Sequence, residues 1–195
     1  MGFHVEHEPR ILLKDAVLEI FDEHGIGTIE IAVYDPVLNS DDCSAVLENP
    51  PSLMHLSAED FRNRSIEDMA KKYCTGDEVI AVSSRVSVNG SHFHLPQIDF
   101  TCENSGDRTA SILYALGEGK QTGFLVASGQ SYHFYGDWLL TPENWLDYMS
   151  RMNDARISGE YASISQNRGY STLRISTCRY KPHEPYVLAR ITKPG

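Results

Sequence analysis

The chain has 195 residues, 41% of them apolar and 23% charged, with a formal net charge of −10. That composition excludes a disordered chain and fits one domain large enough to bury a core. No stretch approaches the ~18 uninterrupted apolar residues of a membrane span, and the acidic excess argues against attraction of nucleic acid by the chain as a whole.

Leu12 to His24 places Leu13, Ala16, Val17, Ile20 and Phe21 on one helical face, and Gly25 supplies a stop. Thr28 to Tyr34 alternates as a strand, ended by Asp35-Pro36. Residues 36–56, rich in Asn, Asp, Pro and Ser, read as a long irregular surface excursion. Ser57 is an N-cap for a helix running toward Tyr73, with Asp60 at N3. Glu78–Val88 and Ser91–Thr101 flank Asn89-Gly90, the strongest short hairpin signal, and Pro96 calls for an edge or a bulge in the second run. A short helix over Asp107–Leu116 follows, then strands over Gln121–Ala127 and Ser131–Tyr135. Thr141-Pro142-Glu143 opens a helix carrying Trp145, Leu146, Met149 and Met152 as core. Ser171–Thr177 and Tyr186–Ile191 close the chain as strands. Strands outnumber helices and several pair as hairpins, so the expected fold is α+β, a mostly antiparallel sheet with flanking helices. The expected organisation is a single domain, 1–195, with residues 1–77 an N-terminal elaboration on a region spanning 78–195.

The residues Met1–Glu8 lack the basic start and apolar run of a secretory signal. Cys43, Cys74, Cys102 and Cys178 form no C-x-x-C pair and match no zinc spacing. Reduced thiols in a cytoplasmic protein are therefore expected. The charge is uneven: from Arg168 onward, Arg168, Arg174, Arg179, Lys181, Arg190 and Lys193 stand against Glu184 alone. Ser128-Gly129-Gln130 marks a turn, and on the following strand Ser131, His133 and Tyr135 share one face while Tyr132 and Phe134 share the other. A titratable ring in line with a hydroxyl just after a turn suits a phosphate or a reacting group; a half-buried histidine under aromatics fits the same pattern. His92 and His94 share a strand face and form a weaker candidate for a metal.

Three places converge on one precedent: Ile98-Asp99-Phe100, Ser131-Tyr132-His133 behind Ser128-Gly129, and the strand Leu173-Arg174-Ile175-Ser176. Over roughly residues 93–190, their order and the helices between them resemble the archaeo-eukaryotic primase superfamily, in which a hydrophobic-Asp-hydrophobic-Asp strand, a Ser-x-His strand and a third acidic strand build the site on an RRM-like core. The resemblance implies a nucleotide- and nucleic-acid-binding protein of the metal-dependent nucleotidyltransferase (primase-polymerase) type, acting in DNA replication or repair. It implies Asp99 and His133 as catalytic residues, with Asp99 holding Mg²⁺ or Mn²⁺. Ser131, His133, Arg168, Arg174 and Arg179 would bind the phosphates of a nucleotide triphosphate. No membrane partner is implied; a protein partner subunit is open. The acidic motif departs from the family: Gln97 and Thr101 flank Asp99 where a second acid is expected, and Arg174 or Ser176 stands where the third belongs. Two hard cations ~3.5–4 Å apart need more carboxylate than one. The alternatives are a catalytically inactive primase-like binding or interaction module, and an unrelated α+β metallo-hydrolase or interaction domain.

Overall fold

The computed structural model describes residues 4–6, 11–36, 49–100, 112, 121–129, 131–154 and 160–192. In chain order the elements are β1 (His4–Glu6), α1 (Leu13–His24), β2 (Thr28–Tyr34), β3 (Ser52–Ser57), α2 (Ala58–Asn63), α3 (Ile66–Tyr73), β4 (Val79–Val88), β5 (Ser91–His94), β6 (Gln97–Phe100), β7 (Gly123–Ala127), β8 (Tyr132–Gly136), α4 (Pro142–Asp154), α5 (Glu160–Arg168), β9 (Thr172–Arg174) and β10 (Tyr186–Thr192). The fold is α+β, with two antiparallel sheets and flanking helices, in accord with the composition of its segments.

The first sheet runs β1-β10-β7-β8-β6. Both of its faces are covered. On one, Ile98, Phe100, Leu125, Tyr132 and Phe134 pack with Trp145, Tyr148 and Met149 of α4. On the other, Phe124, Val126 and Tyr135 join the first core with α1 and the second sheet. The second sheet runs β3-β2-β4-β5, with β9 sharing the β5 edge of β4. Ile29, Ile31 and Val33 of β2 enter the first core together with Ile80, Val82 and Val86 of β4, so the alternate residues Thr28, Glu30, Ala32 and Tyr34 face away from it.

The Asn89-Gly90 turn forms as expected, with φ of 50° and 80° joining Val88 and Ser91. The run beyond it differs from expectation. Instead of one strand over Ser91–Thr101, the chain breaks at Leu95-Pro96 and crosses between sheets: β5 pairs with β4, and β6 pairs with β8. Proline cannot donate to a ladder, and here its carbonyl accepts from Gly136 N–H at 2.8 Å. The single helix expected after Ser57 is two. Ser57 accepts from Asp60 N–H, Arg64 is extended, and Ser65 caps a second helix through Asp68 N–H. Residues 36–56 are not wholly irregular, since β3 pairs along β2 from Ser52. Helix α5 had no periodic signal; it packs through Ala162 and Ser165 and ends at Gly169, which is its C-terminal stop. Leu146 is exposed, not core: the buried face of α4 is Trp145, Tyr148 and Met149. The helix expected over Asp107–Leu116 lies outside the described residues except for Ile112, a buried member of the second core.

Candidate functional site

Strands β6 and β8 place Asp99 directly opposite His133 in the antiparallel register, and Val126 of β7 flanks the histidine on its other side. The alternation puts Ser131, His133 and Tyr135 on the face away from α4, while Tyr132 and Phe134 enter the second core. Asp99, Ser131 and His133 open on a cleft of about 320 Å³, shared with Tyr34, Pro36, Ser128, Gly129, Arg174, Tyr180, Lys181, Pro182 and His183. Segments far apart in sequence build it: the end of β2, the β6/β8 pair with the turn between β7 and β8, and β9 with the loop that follows.

His133 Nε2 stands 3.8 Å from Asp99 Oδ1. That is beyond hydrogen-bonding reach. The ring's Nδ1 is shut from solvent and has no hydrogen-bond partner among the described residues. Burial, reinforced by Arg174 and Lys181, lowers the His133 pKa to about 3. At neutral pH the ring is therefore uncharged, with one N–H to donate. Burial also raises Asp99 to about 6, against the opposing pull of Lys181, the Ser131 hydroxyl and Arg174. Although 37% of the Asp99 side chain remains open, the crowding of the cleft floor is enough to disfavour its charge. Ser131 Oγ lies 3.5 Å from Asp99 Oδ1 and 3.0 Å from Ser128 Oγ, which fixes the turn against the carboxylate.

Arg174 is buried on β9, opposite Ala81. Its guanidinium donates to the carbonyls of Ser176 at 2.8 Å, His183 at 2.9 Å and Ser128. It therefore clamps both rims of the cleft, and only part of its donor set is left for a ligand. Arg168 lines a smaller adjoining cavity of about 120 Å³ with Tyr34, Asp99, Tyr161, Ile164, Ser165, Tyr170 and Thr172. Tyr34 and Asp99 are common to both spaces. Burial raises the Tyr34 phenol to about 12, so it stays protonated. Arg179 is exposed and does not line the cleft; its guanidinium lies 5.8 Å from the Tyr180 ring centre. Lys181 and His183 line the cleft beside Arg174; Lys181 belongs to the basic excess after residue 168, and His183 has no comparable sequence signal. Tyr34 had none, because 65 positions separate it from Asp99.

Among the described residues, no group of three or more His, Cys, Asp or Glu side chains is placed to hold a metal. Asp99 is the one carboxylate among the described cleft-lining residues. That donor set suits a single Mg²⁺ or Mn²⁺ whose other ligands are water and phosphate oxygens, and does not suit a pair of ions. His92 and His94 do not form a centre either: His94 is buried, bonded through Nδ1 to Ser84 Oγ at 2.9 Å and stacked on Trp145, while His92 is exposed.

A family model described as archaeo-eukaryotic primase 1D-like matches residues 57–185. Among solved structures, the catalytic domain of primase RepB′ in complex with initiator DNA is similar at a TM-score of 0.51 and 12% identity, over 92% of this chain and 85% of that one. A second structure of primase RepB′ gives 0.51 and 13%, over 92% of this chain and 56% of that one. At this identity the likeness concerns the fold. No curated protein sequence matches the chain.

Proposed function

Since the chain belongs to the archaeo-eukaryotic primase 1D-like family, we propose that its cleft binds the triphosphate of a nucleotide, with one Mg²⁺ or Mn²⁺ held between Asp99 and phosphate oxygens. The observation that carries this reading is the in-register pairing of Asp99 and His133 on the wall of a polar cleft rimmed by Lys181 and Arg174. Anion charge is met by Lys181 and by what remains of the Arg174 donor set. Ser131 and the neutral His133 ring supply hydrogen bonds without charge. Arg168 adds positive charge in the adjoining cavity, and Arg179 adds it beyond the rim, on the loop of Tyr180. The cation, when bound, would neutralise the phosphate charge that Asp99 alone would repel.

A second reading, metal-dependent nucleotidyl transfer on a nucleic-acid template, is favoured by the family and opposed by Asp99 being the single carboxylate among the described cleft-lining residues. Calorimetry with a nucleoside triphosphate, with and without Mn²⁺, tests the first reading, and primer extension tests the second. Binding should weaken ~10-fold or more in Lys181→Ala and in His133→Ala, as expected for loss of a hydrogen bond to a charged group. Asp99→Asn should erase the Mn²⁺ dependence. Wild-type protein that binds no triphosphate, or variants that bind it equally well, would sink the proposal. Mn²⁺-dependent extension abolished by Asp99→Asn would establish transfer in its place.

A further inference from the structure

Two cysteines that do not line the cleft converge beside it. Cys74 ends α3, its N–H donating to the Ala70 carbonyl at 2.9 Å. The chain then turns back: the Glu78 carboxylate accepts from the Thr75 N–H at 2.5 Å and from its hydroxyl at 3.0 Å, and Val79 starts β4. Strand β9 descends antiparallel to β4, with Arg174 opposite Ala81. The pairing goes on past the strand end, where Ile175 N–H donates to the Ile80 carbonyl at 2.9 Å and Ile80 N–H donates to Ser176 Oγ at 2.8 Å. Two residues further in the same direction, Cys178 comes down beside the turn that Cys74 opens. Both are free thiols, and both are half-buried. Burial, then Glu78 and Cys178, push the Cys74 thiol up to about 11, which places the two sulfurs within electrostatic reach of each other.

Cys178 is tied to the rim of the cleft. It exchanges a pair of backbone hydrogen bonds with Lys181, each 3.1 Å, so residues 178–181 form one tight turn. Lys181, Pro182 and His183 line the cleft, and Arg174 holds the far side of the loop by the His183 carbonyl at 2.9 Å. Cys74, by contrast, packs against the first core. Thr177, Arg179, Tyr180 and Lys181 are exposed. An approach of the two sulfurs is therefore made by the loop, and Lys181 moves with it.

We propose that Cys74 and Cys178 form a reversible disulfide under peroxide, a redox switch that draws the Lys181 turn toward α3 and lowers the affinity of the cleft for a triphosphate. The bond asks for Cα atoms about 4.4–6.8 Å apart, and the loop supplies whatever closing remains. Cys74 keeps its proton at neutral pH, so oxidation starts at Cys178. Hydrogen peroxide converts the Cys178 thiol to a sulfenic acid and releases one water. The Cys74 sulfur then attacks the sulfenic sulfur. The S–S bond forms, and the sulfenic hydroxyl leaves with the Cys74 proton as a second water. A dithiol reverses the bond, so reduced thiols remain the resting state in a reducing compartment. The bond rests on the cysteine pair alone; its effect on affinity rests on the nucleotide reading of the cleft.

The test treats the full chain with hydrogen peroxide and maps its tryptic peptides without reduction. Cleavage after Lys72, Arg85, Arg174 and Arg179 isolates Cys74 in residues 73–85 and Cys178 in residues 175–179. A linked pair of those two peptides, released by dithiothreitol, is expected. Calorimetry with a nucleoside triphosphate and Mn²⁺ should give the oxidised protein an affinity about 5-fold or more below that of the reduced protein, a partial loss of one charged contact. Dithiothreitol should restore it. Cys178→Ala should bind the triphosphate as reduced wild type does and ignore peroxide. Cysteines that pair otherwise, or a Cys178 driven to sulfinic acid with no link, would overturn the switch. So would a linked protein whose affinity is unchanged. A reduced protein that binds no triphosphate yet forms the link would overturn the cleft reading and support the bond.

Discussion

Asp99 and His133 face each other, yet their environments push their proton affinities in opposite directions to opposite effect on stability. Unfolded, His133 takes a proton as pH falls through 6.5; folded, it declines one until about 3. Its neutral form therefore contributes stability that is present above 6.5 and lost as pH falls. Asp99 releases its proton near 3.8 when unfolded and near 6 when folded. Its contribution is present below 3.8 and lost as pH rises through 6. Between 3.8 and 6 the two slopes oppose, and each hides the other in the wild type. Asp99→Asn removes the falling slope, so its melting temperature should climb with pH across that window more steeply than the wild type's. His133→Gln removes the rising slope, so its melting temperature should drop relative to wild type as pH rises. Circular dichroism melts from pH 4 to 6.5 decide the matter: three parallel profiles would mean that neither group is as desolvated as the cleft geometry requires.

At the level of elements, the β7–β8 hairpin is what delivers His133, and Gly123 is its tightest point. Gly123 has φ of 136° and pairs with Gly136, and a Cβ built on it would lie 2.1 Å from the Tyr135 carbonyl oxygen. Gly123→Ala should cost about 2 kcal/mol or more, through backbone strain and displacement of β8, seen as a lower urea midpoint with an unchanged slope. An unaltered midpoint would show that the strand end relaxes freely. Signals of this local kind were readable from the residues. Strand β2, the Asn89-Gly90 turn and the Thr141-Pro142 helix start each depend on neighbours within a few positions, and so does the parity that turns Ser131 and His133 toward the cleft while sending Tyr132 and Phe134 into the second core. What escaped reading depends on distant partners. The crossing at Pro96 is visible only when β8 is there to receive β6. Helix α5 packs through small residues and so shows no apolar stripe. Tyr34 and Lys181 reach the cleft by tertiary folding alone. Arg174 was legible as a charge, but not as a clamp on three backbone carbonyls.

The two sheets are tied by direct contacts. Tyr135 of the first sheet donates its hydroxyl to the Leu173 carbonyl of β9, which pairs with the second sheet. Strand β1 pairs with β10, and β2 lies between β3 and β4. The family match begins at residue 57, after α1, β2 and most of β3. Yet α1 buries Leu13, Val17, Leu18, Ile20 and Phe21, worth on the order of 10 kcal/mol of transfer free energy. That is comparable to the whole stability of a typical domain. Without β2, the edge of β4 would also present Ile80, Val82 and Val86 to water beside unpaired backbone groups. A fragment of residues 57–195 is therefore expected to show no cooperative urea transition. In the full chain, fluorescence from Trp138 and Trp145, both in or against the second core, should follow the same curve as far-ultraviolet circular dichroism, which reports both sheets. A fragment that unfolds cooperatively, or a tryptophan transition displaced from the dichroism transition, would show instead that the first sheet and α4 stand alone and that the cleft is a joint between separable parts.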